Sequence, residues 1–467
     1  MTFRSAIYSV RSVALLLVMG QQVALAQEVE DEVLQVAEVA TVEPPISPNW
    51  AKLLYIDTPV PIVEGLDFVL PASSALVVPL DEEAFSLRME SIRQYSSTVE
   101  DIESLGGTWD RGLPEELSSL GELQQQQGDH LLAVETFDRA IHINRINSGL
   151  HTLEQIPAIE QLIESHLAMG NWEQADIYNN YLFYIQQKSY GRNDPRLIPV
   201  LDKLATWNMQ AFNIGYGELL GQRLRQAQIL FVAAARMVGT HFGREDERFV
   251  AYMKNIANSS YLLSRNPNLM MELEQPDFRS YQTILMDSLT ERSSVLPPGF
   301  RSGEKALSDI VQFYQESGDS AYDLAEAIAN LGDWYLVFDR RREANDHYQA
   351  AWLILQEEEN SEELSASLFG QVVALPAFSE TTTNPAAVYQ NGLDSEVLSY
   401  DFVELTLDVS EAGTVRNARV VSEETEENSM MNNRVRSTVR SSYFRPLIVD
   451  GMPQRSNGHR FRYRYWY

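Results

Sequence analysis

Between about Glu83 and Gln356 apolar side chains recur every three to four positions, the spacing that lines one face of a helix. Before that stretch, from Trp50 to Leu80, apolar pieces such as "FVLPASSALVVPL" are cut by prolines, which predicts short strands or extended wrapping. After it the period changes to two. In "VELTLDV", Val403, Leu405, Leu407 and Val409 share one face of a strand, while Glu404, Thr406 and Asp408 share the other. The pattern divides the chain into a short extended or β segment (49–82), a helical region (83–370), a proline- and threonine-bearing linker (371–402) and a small mixed α+β domain (403–467).

Inside the helical region one spacing of small and large residues returns. In "LGELQQQQGDHLLAVETFDRA", Gly121 is followed by Gly128, Ala133, Phe137 and Ala140; in "LGDWYLVFDRRREANDHYQAA", Gly332 is followed by Tyr335, Ala344, Tyr348 and Ala351. The glycine lets a first helix touch a second, the alanines let the second lie close, and the aromatic fills the remaining space. A weaker copy, "LIESHLAMGNWEQADIYNNYL", keeps Gly170 and Ala175 but has Asn179 where the aromatic stood, and His166 sits where a repeat places an aromatic. Two further segments, "YGRNDPRL" from Tyr190 and "FGREDERF" from Phe242, match each other and read as a helix end followed by a helix start. Their separation exceeds one repeat, which points to an insertion around "NIGYGELLGQ". The spacing resembles the tetratricopeptide repeat, which implies an α-solenoid of about four to six helix pairs with a concave groove. An irregular helical bundle is the alternative. The helix-ending proline of the family is absent, with Arg145 and Gln356 near its places.

The last sixty-five residues have their own order. A turn at Ser410–Thr414, with Gly413 free to take positive φ, leads to a second strand, "VRNARVVS". Met431, Val435 and Val439 then form one stripe of a short helix, Asp450-Gly451 makes a turn, and "HRFRYRYWY" closes the chain. As a strand, that run puts Phe461, Tyr463 and Tyr465 on the helix stripe and Arg462, Arg464 and Trp466 outward. Strand, glycine turn, "ARVVS", basic helix, "FRP", "DG" turn and aromatic strand resemble the TonB C-terminal domain. The resemblance implies a periplasmic module that grips a segment of an outer-membrane receptor by strand addition, at an edge near Arg445 and Pro446 or at His459–Tyr467. It departs from the family in two places: Tyr389 is followed by Gln390 where a tyrosine-proline pair is usual, and helical repeats replace the membrane helix and proline-rich spacer.

Composition narrows the chemistry. The 467 residues include no cysteine, which excludes disulfides, thiolate metal sites and thiol nucleophiles. A net charge of −30 disfavours nucleic acid and anionic lipid as partners, yet residues 403–467 hold ten arginines against eight acids. That asymmetry could dock the end domain on the helices or meet an acidic receptor, or the arginines could simply be solvated.

Arg4 and Arg11 precede an apolar run and Ala24-Leu25-Ala26, the pattern of a cleavable signal peptide (1–26). An acidic tail (27–48) follows, so the mature chain is expected in the periplasm without a membrane span. No phosphate loop, nucleophile elbow or zinc helix is present, and the histidines lack ligand spacing. The expectation is a non-enzymatic adaptor without cofactor or metal, whose partners are envelope proteins such as TonB-dependent receptors or TonB-system components. An accessory energy transducer is the second reading.

Overall fold

The computed structural model describes residues 55–56, 59–62, 82–276, 279, 285–286, 289, 295–318, 320–378, 400–422 and 429–466. The expected signal peptide, the acidic tail and residues 379–399 of the expected linker lie outside the described residues. What is described is mostly helical, with a small antiparallel sheet region near the C-terminus.

The helices run in order as α1 (Glu82–Gly106), α2 (Leu113–Gln127), α3 (His130–Ser148), α4 (Ile156–Ala168), α5 (Trp172–Tyr190), α6 (Ile198–Ile214), α7 (Leu220–His241), α8 (Glu247–Arg265), α9 (Pro267–Glu272), α10 (Phe300–Ser317), α11 (Ala321–Val337), α12 (Arg341–Gln356) and α13 (Ser361–Phe369). From α1 to α8 each packs against the next, α8 packs against α10, and α10 to α13 continue in order.

The tight turns share one construction. At the ends of α2, α4 and α6 the residues Gly128, Gly170 and Gly215 take φ of 92°, 70° and 73°, left-handed values that glycine adopts without a Cβ clash. The residue after each donates its N–H five positions back: Asp129 to Gln124 O, Asn171 to His166 O and Tyr216 to Ala211 O. The turn after α11 is built alike, with Arg340 donating to Tyr335 O, but Asp339 holds the left-handed position at φ 59°.

Packing inside the pairs follows from the small residues. A Cβ on Gly121 would lie 2.6 Å from the Phe137 ring, and one on Gly332 would lie 2.8 Å from the Tyr348 ring. Ala133, Phe137, Ala140, Ala175, Ala344, Tyr348 and Ala351 are fully buried. Tyr335 is half-buried and donates to Glu304 Oε1 at 2.8 Å. Where Asn179 replaces an aromatic, its buried amide donates to Ala175 O, 2.8 Å away on its own helix. His166 is buried and stacked on Tyr178 at 5.7 Å.

The two matching loops are also superposable in chemistry. Asp194 and Asp246 each accept the N–H of the residue two positions on, Arg196 and Arg248. Both arginines return a bidentate bond to the same carboxylate and lie over the ring that ends the preceding helix, 4.1 Å above Tyr190 and 4.4 Å above Phe242.

The sheet uses β1 (Tyr55–Ile56), β2 (Val60–Pro61), β4 (Tyr400–Val409), β5 (Val415–Val420) and β9 (Ser456–Trp466). Its order is β1-β9-β4-β5, with β2 also on β9. Val403, Leu405, Leu407 and Val409 of β4 and Phe461, Tyr463 and Tyr465 of β9 are buried with Met431, Val435 and Val439 of α14 (Ser429–Arg440). β3 (Val373–Ala374) pairs with β6 (Phe444–Arg445), and β7 (Leu447–Val449) pairs with β8 (Met452–Gln454). The β7–β8 hairpin turns at Asp450-Gly451 with φ of 52° and 73°, the twist-matched turn that this residue pair favours.

Two expectations need correction here. Residues 371–378 are not a free linker: Val372, Leu375 and Phe378 are buried and β3 joins the pairing of β6, because their apolar side chains fill space between the last helices and the sheet. Within the expected extended segment 49–82 the described strands, β1 and β2, do not stand apart but join the C-terminal sheet on β9.

Candidate partner-binding surfaces

Arg445 and Pro446 were expected at an open edge; both are buried. The Arg445 guanidinium binds both oxygens of Asp333 on α11, at 2.6 Å from Nη2 to Oδ2 and 3.0 Å from Nε to Oδ1, and reaches Asn330 Oδ1 at 2.9 Å. Tyr348 donates to the same Asp333 at 2.8 Å, and burial beside that carboxylate pushes its hydroxyl well above the ordinary tyrosine range. A charge so enclosed is held only by its partner. Arg445 therefore fastens the end domain to the helices. Gly413 adds to the seam, since a Cβ there would lie 2.8 Å from Leu336 and 2.4 Å from Phe444 O.

The final strand is also covered. β4 pairs with β9 from Tyr400 opposite Trp466 to Val409 opposite Ser456, and β1 and β2 take the other side. Part of the edge expected at His459–Tyr467 is thus occupied by the chain's own β1 and β2, a contact without a sequence signal beyond two short apolar pieces. Arg462 is engaged within the sheet: it donates through Nε to Glu404 Oε1 at 3.0 Å, and Arg460 reaches Oε2 at 3.2 Å. These bonds, that of Arg462 first, lower the Glu404 carboxyl below its usual range. Arg464 lies half-buried on the same row, and the orientation of the Trp466 side chain is outside the described residues.

The sheet's other end is different. β5 is last in the order, with β4 as its neighbour and no second strand beside it among the described residues, apart from a bridge of Thr414 to Tyr443 at its start. Arg416 and Arg419 on β5 and Arg434 and Arg440 on α14 are exposed around it.

On the helices, an apolar patch collects at the first pairs. Leu105, Trp109, Ile146 and Leu150 are exposed, Leu105 at 90%. Asn147 donates to Trp109 O at 3.0 Å, and Trp109 meets the His142 ring at 5.3 Å, so the patch has a fixed shape. Repeat spacing marks buried positions and could not find it.

A cavity of about 360 Å³ opens between α5 and α7, lined by polar residues including Asp176, Asn180, Glu218 and Gln222. Its Asp176 is bound by Arg223 at 2.7 Å and by the Trp207 Nε1–H at 2.6 Å. The residues flagged in sequence as an insertion form the loop at its mouth. Among the described residues no cluster of histidine, aspartate and glutamate is placed to hold a metal, and no helix is long and apolar enough to cross a membrane.

No family model matches the chain, and no curated protein does. Among solved structures it is similar to BtubC (BKLC) from P. vanneervenii, at 15% identity over 58% of this chain and 91% of that one, with a TM-score of 0.33.

Proposed function

We propose that the chain is a non-enzymatic periplasmic adaptor. A tetratricopeptide-like stack of helix pairs receives one partner, and a module of the TonB C-terminal type docks a second through a sheet edge, within TonB-dependent outer-membrane transport. The repeat reading is supported by the same six-residue turn at the ends of α2, α4, α6 and α11 and by aromatic rings seated on Gly121 and Gly332. The apolar patch around Trp109 is the surface that the first partner meets.

One observation carries the docking role: the edge of β5, six residues long and flanked by exposed arginines. An extended segment added there gains backbone hydrogen bonds, and acidic side chains on it face Arg416 and Arg419. Basic side chains on an edge also discourage two copies from pairing with each other. On this reading docking occurs at β5, away from Arg445 and the final strand.

The test is a photo-crosslinker placed at Arg419 in intact cells, with one at Glu358, in the turn between α12 and α13, as the comparison. The expected capture from Arg419 is an outer-membrane receptor or another envelope protein. Recovering the same background from both positions would refute the docking role.

A further inference from the structure

The cavity between α5 and α7 has a built frame. Arg223 on α7 crosses to α5 and binds both oxygens of Asp176, at 2.7 Å from Nη1 and 2.9 Å from Nη2, and its Nη1 also reaches Asn208 Oδ1 on α6 at 3.3 Å. The Trp207 indole of α6 donates to the same carboxylate, and the Tyr216 ring lies against the guanidinium, 5.1 Å from it. Gly217 lets the loop pass this close: its φ is 110°, and a Cβ there would lie 3.2 Å from Arg223 Nε. Three helices and one loop thus fix the walls, and the charges of Asp176 and Arg223 offset each other within them.

What is left to meet a ligand is polar. Asp176 and Asn180 stand one turn apart on α5, and Gln222 and Gln226 one turn apart on α7. The side chains of Gln222, Gln226 and Glu218 are bound by no described residue, and Asn180 uses only its Nδ2, on Asp176 O at 2.8 Å. An amide both donates and accepts, as a hydroxyl does. The volume of about 360 Å³ lies within the range of small-molecule sites, whose walls are usually apolar; here Leu219 is the one large apolar side chain of the lining, so an apolar ligand gains little. An anion would meet Glu218, whose charge has no counter-ion among the described residues, in the field of a chain of net charge −30. We infer that the cavity binds a small polyhydroxylated amine of the amino-sugar type, its hydroxyls on the amides of Asn180, Gln222 and Gln226 and its ammonium on Glu218. The site shares no residue with β5 or with the patch around Trp109, and it does not rest on the adaptor role.

The probe is glucosamine, titrated by NMR into the full chain with isotope-labelled tryptophan indoles. The Trp207 Nε1–H reports from the cavity wall through Asp176, and its signal is identified by its loss in Trp207→Phe. Glucose and glucuronate, a neutral and an anionic ring of similar shape, are the comparisons. Gln222→Ala with Gln226→Ala removes two amides, keeps good helix formers in α7 and leaves Asp176, Trp207 and Arg223 in place. Glu218→Gln removes the charge alone.

The Trp207 signal is expected to shift saturably with glucosamine, with a midpoint on the order of millimolar that rises about tenfold in the double alanine variant. Glucose is expected to bind about threefold more weakly than glucosamine and glucuronate more weakly again, and Glu218→Gln to erase the difference between glucosamine and glucose. A signal that glucosamine leaves in place overturns the inference, and so does a midpoint unchanged by the loss of both amides. An equal response to all three sugars in the wild type overturns the ammonium's place on Glu218. That position is exposed on a loop, so the comparison at Glu218→Gln stands even where the double variant does not fold.

Discussion

His166 is a histidine doing the work of an aromatic. Burial lowers its pKa from 6.5 to about 4, so between those values the unfolded chain binds a proton that the folded chain refuses. Stability is therefore lost as pH falls from 6.5 toward 4, by up to about 3 kcal/mol at 1.36 kcal/mol per unit. His166→Phe is expected to flatten the urea midpoint across that window relative to wild type; parallel profiles would contradict it. Gly121 is the complementary case, with no room for one more carbon. Gly121→Ala is expected to cost about 1–3 kcal/mol in the same measurement, since the Phe137 ring is enclosed and cannot yield. Both positions were legible in sequence because offsets between small and large residues report contact directly. Arg445 was not: its neighbours in sequence say nothing of Asp333, more than a hundred positions away.

At the scale of elements, the matching loops at Tyr190 and Phe242 show how a short motif encodes a start and a stop. Glycine ends one helix, aspartate caps the next, and arginine ties the cap to the ring left behind. Asp246→Ala is expected to cost about 1 kcal/mol in thermal unfolding, the usual worth of such a cap. Alternation of period two marked β4 and β9, and a spacing of four marked the stripe of α14, which the structure buries face to face. The pairing of β1 and β2 with β9 was not legible. A two-residue strand has too few positions to show a period or to point to its partner.

For the whole molecule, the division at a linker gave way to a seam. β3 crosses from the helices to β6, Ile448 packs among the last helices, and Arg445 closes on Asp333. Asp333→Ala would leave the guanidinium buried without its carboxylate, and a loss of about 3–5 kcal/mol is expected. Replacing both partners, Asp333→Leu with Arg445→Met, is expected to recover most of it, because the cost lies in stranding one charge. Calorimetry of the three proteins decides, and a double variant as unstable as the single would show that the pair's geometry matters more than its charge balance.

β1 and β2 leave the ribosome long before β9, the strand on which they find their place. Most of the helices pack on the neighbour just before them in the chain, but this segment waits for β9. Closing so large a loop is slow relative to local contacts. The sheet thus matures last along that side, and a newly made chain passes through an interval in which its final strand has one flank bare.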